Sequence, residues 1–73
     1  MSNTITLAPV KSSNIHSIGH DPATDELHVR FHSGDTYIYT GVPAEKHQAA
    51  LSADSVGKYI NSQVKGKHPF RKV

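Results

Sequence analysis

The stretch from Leu27 to Tyr39 constrains the fold of this chain more than any other. Leu27, Val29 and Phe31 alternate with Glu26, His28, Arg30 and His32, and Tyr37 and Tyr39 alternate with Thr36, Ile38 and Thr40. A period of two marks strands with one buried face, and Ser33-Gly34 between the runs marks the turn of a hairpin. Turn length then decides which way the tyrosines point, because a one-residue change in register moves a strand's side chains to the other face. A two-residue Ser33-Gly34 loop sets Val29 opposite Ile38, Arg30 opposite Tyr37 and His28 opposite Tyr39, which puts the tyrosines on a basic outer face as a stacking platform. A three-residue His32-Ser33-Gly34 loop sets Val29 opposite Tyr37 and Leu27 opposite Tyr39, which puts them in the core. Ser33 fits the shorter loop poorly, since a type I′ turn needs positive φ at both central residues, whereas the longer loop needs it only at Gly34. Core tyrosines with hydroxyls at the rim are therefore expected.

With 73 residues, 36% of them hydrophobic, and neither Cys nor Trp, the chain can build one small core and has no disulfide or thiolate site to reinforce it. The absence of a basic-then-apolar N-terminal segment and of a long apolar run leads to the expectation of a cytoplasmic protein with no membrane span. Residues 1–9 read as a tail or an edge strand that Pro9 cuts short. A first strand follows around Ser13 to His20. Ile15 and Ile18 are three apart there and cannot share a face of a regular strand, which implies a bulge or an irregular entry. Asp21-Pro22-Ala23-Thr24-Asp25 is a turn by composition and leads into the hairpin.

Pro43 suits a first helical position, and Ala44 to Leu51 are mostly helix formers. Asp54 or Ser55 can cap a second helix whose stripe of Val56, Tyr59, Ile60 and Val64 has helical spacing. Gly66 stops it, with Pro69 just beyond, and residues 70–73 read as a basic tail. The expected fold is α+β: a small antiparallel β-meander of three to four strands followed by two short helices packed on one face, with residues 10–69 as a single domain.

The net charge of +2 argues little by itself, but its distribution is uneven. No acid follows Asp54, while Lys58, Lys65, Lys67, His68, Arg71 and Lys72 all do, so the C-terminal third could attract phosphate. A solvated helix face running into a frayed basic tail explains the same pattern. Six histidines invite a metal reading, and His16/His20 and His28/His32 have the H-x-x-x-H spacing of helical zinc sites. On strands such positions lie ~13 Å apart, so no metal site is expected. No nucleophile elbow, phosphate-cradling glycine loop or carboxylate pair stands out, and neither catalysis nor a cofactor is expected.

The ordered set Val10, Ser12-Ser13, Ile15, Ile18-Gly19, Asp21, Leu27, Val29, Phe31, Ser33-Gly34, Tyr37-Ile38-Tyr39, Val42-Pro43, Leu51, Ser55, Gly57-Lys58-Tyr59-Ile60-Asn61, Lys65-Gly66 and Pro69 resembles the KTSC domain. That family is named for its occurrence at the C-terminus of some lysyl-tRNA synthetases and also occurs as small stand-alone bacterial and phage proteins. His20 and His68 stand where the family pattern usually has Tyr, and Ala49-Ala50 also departs from it, so the chain has fewer aromatics for base stacking. The resemblance implies a suggested RNA-binding role. Two functions follow as expectations. The first is an RNA-binding module that uses Arg30, Lys58, Lys65, Lys67, Arg71 and Lys72 for phosphates, with Tyr37 and Tyr39 stacking bases in the two-residue register. The second is a phage-related or enzyme-appended accessory that binds a protein partner through a sheet edge or the short helix.

Overall fold

A computed structural model describes residues 7–73. Five strands and two helices follow the order β1 (Ala8–Pro9), β2 (Ile15–Asp21), β3 (Glu26–Phe31), β4 (Thr36–Tyr39), α1 (Ala44–Ser52), α2 (Val56–Gln63) and β5 (Phe70–Lys72). The strands form one antiparallel sheet in the order β1-β2-β3-β4-β5. The α+β meander with two following helices agrees with the sequence, but the strand number is five rather than three or four. Phe70–Lys72, expected as a tail, is a strand because β4 would otherwise be an edge with unpaired backbone groups. Gly66, at φ +84, turns the chain after α2, Thr40 N–H donates to the Pro69 carbonyl, and Val73 N–H donates to that of Thr36. Three mostly polar residues carry no period for a sequence reading to detect. At the other end Ala8–Pro9 is an edge strand, while the Thr4-Ile5-Thr6 alternation lies outside the described residues.

The hairpin has the longer turn. Leu27 faces Tyr39 and Val29 faces Tyr37, and Phe31 N–H bonds the Asp35 carbonyl at 2.9 Å across the three residues His32, Ser33 and Gly34. Gly34 takes φ +98 and Ser33 does not enter the positive region, as a type I turn closed by a left-handed glycine requires. The bulge in β2 is also present. Ile15 pairs with Phe31 but Ser17 with Arg30, so His16 is the extra residue, and Ile15 and Ile18 both become buried. In the following turn Asp21 Oδ1 accepts from Ala23 N–H at 3.0 Å.

Ser55 caps α2, its side chain accepting from Lys58 N–H, while Pro43 sits at the cap of α1 rather than inside it, one residue earlier than expected. Val56, Ile60 and Val64 of the predicted stripe are buried and Tyr59 is half-buried. They pack with Ala50 and Val42 onto Ile15, Ile18, Leu27, Val29 and Tyr39 of the sheet. Each large aliphatic side chain so buried stabilises by roughly 1.5–3 kcal/mol. Gly57 lets α2 approach the loop before β2, where an added Cβ would come within 2.9 Å of Ser12 Oγ. That hydroxyl already accepts from the backbone N–H groups of Asn14 and Ile15.

Among the described residues the opposite sheet face has one buried aliphatic, Ile38, at 6% exposure. It lies between His28 and Arg71 in the register, and the Arg71–Glu26 ion pair (3.1 Å) spans β4 from β5 to β3. The Arg71 head stays largely in water, whereas His28 Nε2 is buried without a hydrogen-bond partner among the described residues.

Histidines hold the helices to the sheet. The His20 side chain, 3% exposed, places Nε2 2.7 Å from the Val42 carbonyl, and its ring stacks on His47 at 5.5 Å. Burial first, and then the neighbouring His20, lowers the His47 pKa below its ordinary 6.5. His68 is lowered too, by burial and then by the Lys46 charge, whose Nζ donates to His68 Nε2 at 2.8 Å and to the Gln63 carbonyl at 2.9 Å.

Two outcomes are expected. Gly34→Val should destabilise by about 1–2 kcal/mol, since a β-branched residue resists positive φ; a urea midpoint unchanged from the parent would contradict the turn assignment. Lowered histidine pKa values mean that the unfolded chain binds more protons between the folded values and 6.5. Stability should therefore fall as pH drops below 6.5 and level off below the folded values. The fall should shrink in the His47→Gln/His68→Gln double variant, as read from urea midpoints across that range.

Candidate nucleic-acid interface

The core face of the sheet is not wholly covered by the helices. Register places Tyr37 beside Val29 and Tyr39 beside Leu27, with Lys72 and Phe70 next to them on β5. Tyr39 is core, at 2% exposure, whereas Phe70 on the same face is 54% exposed and Tyr37 is half-buried. Burial, and then the Tyr37 phenol, raises the Tyr39 pKa above 10.0, so Tyr39 stays a neutral hydroxyl. Phe31 meets Tyr37 edge to face at 5.5 Å, and Phe70 tilts against Tyr37 at 5.3 Å and Tyr39 at 5.6 Å. Such offset and edge contacts are the favoured geometries of aromatic pairs. The rings form a continuous aromatic wall.

This wall bounds a hollow of about 370 Å³ lined also by Ser33, Asp35 and Lys65. A second hollow of about 380 Å³, lined by Ser13, Asn14, Phe31, His32, Ser33, Asn61 and Lys65, adjoins it through shared residues. Each falls within the ~300–1,000 Å³ range usual for ligand pockets. Lys65 stands just past α2 and borders both hollows. Asp35 is paired with Lys72 at 3.4 Å, so Lys65 is the positive charge in the lining without a carboxylate partner among the described residues.

The residues expected to bind nucleic acid are thus divided. Tyr37, Tyr39, Lys65 and Lys72 belong to the core-face end of the sheet, with Tyr37, Tyr39 and Lys65 in the groove lining. Arg30, beside Ser17 and Thr36, and Arg71, beside Ile38 and bound to Glu26, lie on the opposite face. Lys58 and Lys67 are exposed and line neither hollow. The tyrosines share no face with Arg30, because the longer turn excludes that register.

Phe31, Phe70, Asn14, Asn61 and His32 line the hollows although none of them is among the residues expected to bind nucleic acid. Phe70 in particular lies in a segment expected as a tail, and only its pairing with Tyr39 brings it to the wall. The alternation of Phe31 with Arg30 and His32 was visible as a core signal, but not its place where the helix cover ends.

Histidine pairs form across elements rather than by the H-x-x-x-H spacing: His16 meets His32 edge to face at 5.6 Å, as His20 stacks on His47. Among the described residues no group of three or more His, Cys, Asp or Glu side chains is placed to hold a metal ion, and no helix is long and apolar enough to cross a membrane.

A similar architecture is found in a solved structure, and similar sequences occur in other bacterial proteins. A KTSC domain protein from Yersinia pestis superposes with a TM-score of 0.91 at 41% identity, covering 96% of this chain and 99% of that one. A protein of Tsukamurella paurometabola is 43% identical over 67 residues, 92% of this chain and 97% of its own. An uncharacterised protein of Stutzerimonas stutzeri is 44% identical over 59 residues, 81% and 83% of the respective lengths. The KTSC domain family model matches residues 11–68, and the chain belongs to the KTSC domain family.

Proposed function

We propose that this chain is a cytoplasmic, non-enzymatic module that binds single-stranded RNA in the groove between β4–β5 and the C-terminal end of α2. The observation that carries this reading is the aromatic wall of Phe31, Tyr37 and Phe70, left open beside Lys65. Unstacked bases gain about 1–3 kcal/mol each on such rings, and a lysine at the rim serves the phosphates. An open groove also supports binding over catalysis, which draws on enclosed, water-poor sites. The stacking role stays with Tyr37, is shared with Phe70, and passes from the basic outer face to the aromatic groove. Lys65 carries the phosphate role in place of Arg30 and Arg71, while Lys72 is held by Asp35.

The test is fluorescence anisotropy with a labelled single-stranded RNA in a salt series. Log affinity should fall linearly with log salt, by roughly 0.7 per phosphate neutralised, and Lys65→Gln should remove about one such increment. Tyr37→Leu, which keeps the apolar volume, should weaken binding by roughly 5- to 100-fold. Arg30→Gln on the far face should leave it within about twofold, as rim-remote charges do. A flat salt line, or no binding at low salt, defeats the reading. A protein captured by the chain that survives nuclease would instead favour a protein-binding accessory, for which Leu51 on α1 and the β5 edge are the exposed candidates.

A further inference from the structure

We infer that the groove is a two-nucleotide site, with one base stacked in the aromatic hollow, its neighbour read by polar side chains in the second, and Lys65 at the phosphate between them. This rests on the nucleic-acid reading above and adds to it a site size and a source of base preference.

The two hollows have unlike chemistry. The first is walled by the accessible rings of Phe31, Tyr37 and Phe70, with the buried Tyr39 behind them. Rings there accept any base through its π-face, so this half is indifferent to sequence. The second is lined by Ser13, Asn14, His32 and Asn61. Asn14 and Asn61 are exposed, and each amide offers both donors and an acceptor. His32 adds a fixed partner. Its Nε2 lies 3.0 Å from the Ser12 carbonyl, which can only accept, so Nε2 donates and Nδ1 of the neutral ring remains an acceptor. Amide and imidazole groups of this kind match the donor and acceptor edges of an unpaired base.

Phe31, Ser33 and Lys65 border both halves, which makes them the seam of the groove. The phosphate of a dinucleotide lies between its two bases, and Lys65 lies between the two hollows. Asp35, the carboxylate of the aromatic half, is neutralised by Lys72 and so does not cancel that charge. Arg30 and Arg71 on the opposite face cannot extend this track, and Lys58 and Lys67 line neither hollow. The groove therefore ends after two nucleotides rather than running on as a continuous basic channel.

The experiment titrates the full chain at low salt with ribonucleoside monophosphates, the four homodinucleotides (ApA, CpC, GpG and UpU) and a tetranucleotide, followed by backbone amide shifts in NMR. A dinucleotide should bind roughly tenfold more tightly than a mononucleotide, with less than about threefold gained on going to four nucleotides. Lys65→Gln should abolish most of the step from one nucleotide to two. Asn61→Ala, an exposed helix position where alanine is favourable, should reorder preference among the four dinucleotides. Affinity that climbs steadily with length would overturn the two-nucleotide site and leave the binding module standing. So would an unchanged dinucleotide order in Asn61→Ala. Absence of binding at every length would overturn both readings together. The amide shifts also show that each variant keeps the parent fold.

Discussion

The pairing of β3 with β4 sets the whole molecule, and one glycine closes it. With Gly34 at φ +98, the turn spans three residues and Tyr39 falls beside Leu27, under the helices. One residue fewer would turn Tyr37 and Tyr39 to the outer face and leave the helices facing Ile38 and Thr36. The aromatic wall, the burial of Tyr39 and the place of Phe70 beside it all depend on that parity. A residue with a Cβ at Gly34 acts on the groove through the register, without touching it.

Small size explains why the groove exists. Two helices of nine and eight residues carry three of the buried positions, Ala50, Val56 and Ile60, with Val64 at the cap of α2, and cannot roof a five-stranded sheet. Their cover ends near Phe31, and the aromatic residues beyond it are left in contact with one another and with water. In a larger domain a third layer element would bury this patch. Here the side chains that finish the core also form the wall of the candidate site.

The opposite face is polar and crossed by ion pairs. Glu26, His28 and Arg71 enclose Ile38, and Arg71 spends its charge on Glu26 rather than leaving it for a ligand. A basic C-terminal third therefore does not amount to one basic surface: a strand sends alternate residues to opposite faces, and Phe70, Arg71 and Lys72 are divided in that way. The His47 and His68 contacts add a dependence of stability on pH in the range where histidines titrate, since both rings are held below their ordinary value first by burial and then by their neighbours, His20 and Lys46 respectively.

Much of this was legible in the amino-acid order, because periods of two and of helical spacing are local properties. The alternation on either side of Ser33-Gly34, the poor fit of Ser33 to a two-residue turn, the bulge implied by Ile15 and Ile18 and the stripe from Val56 to Val64 each follow from neighbours in the chain. What the tertiary structure alone decided is non-local. Phe70–Lys72 became a strand because β4 has an edge to satisfy, Ile38 was shielded by side chains from two other strands, and Lys65 came to stand beside Phe31 and Tyr37. Such placements come from backbone hydrogen-bond demand and from where two short helices stop, and neither leaves a periodic trace in the sequence.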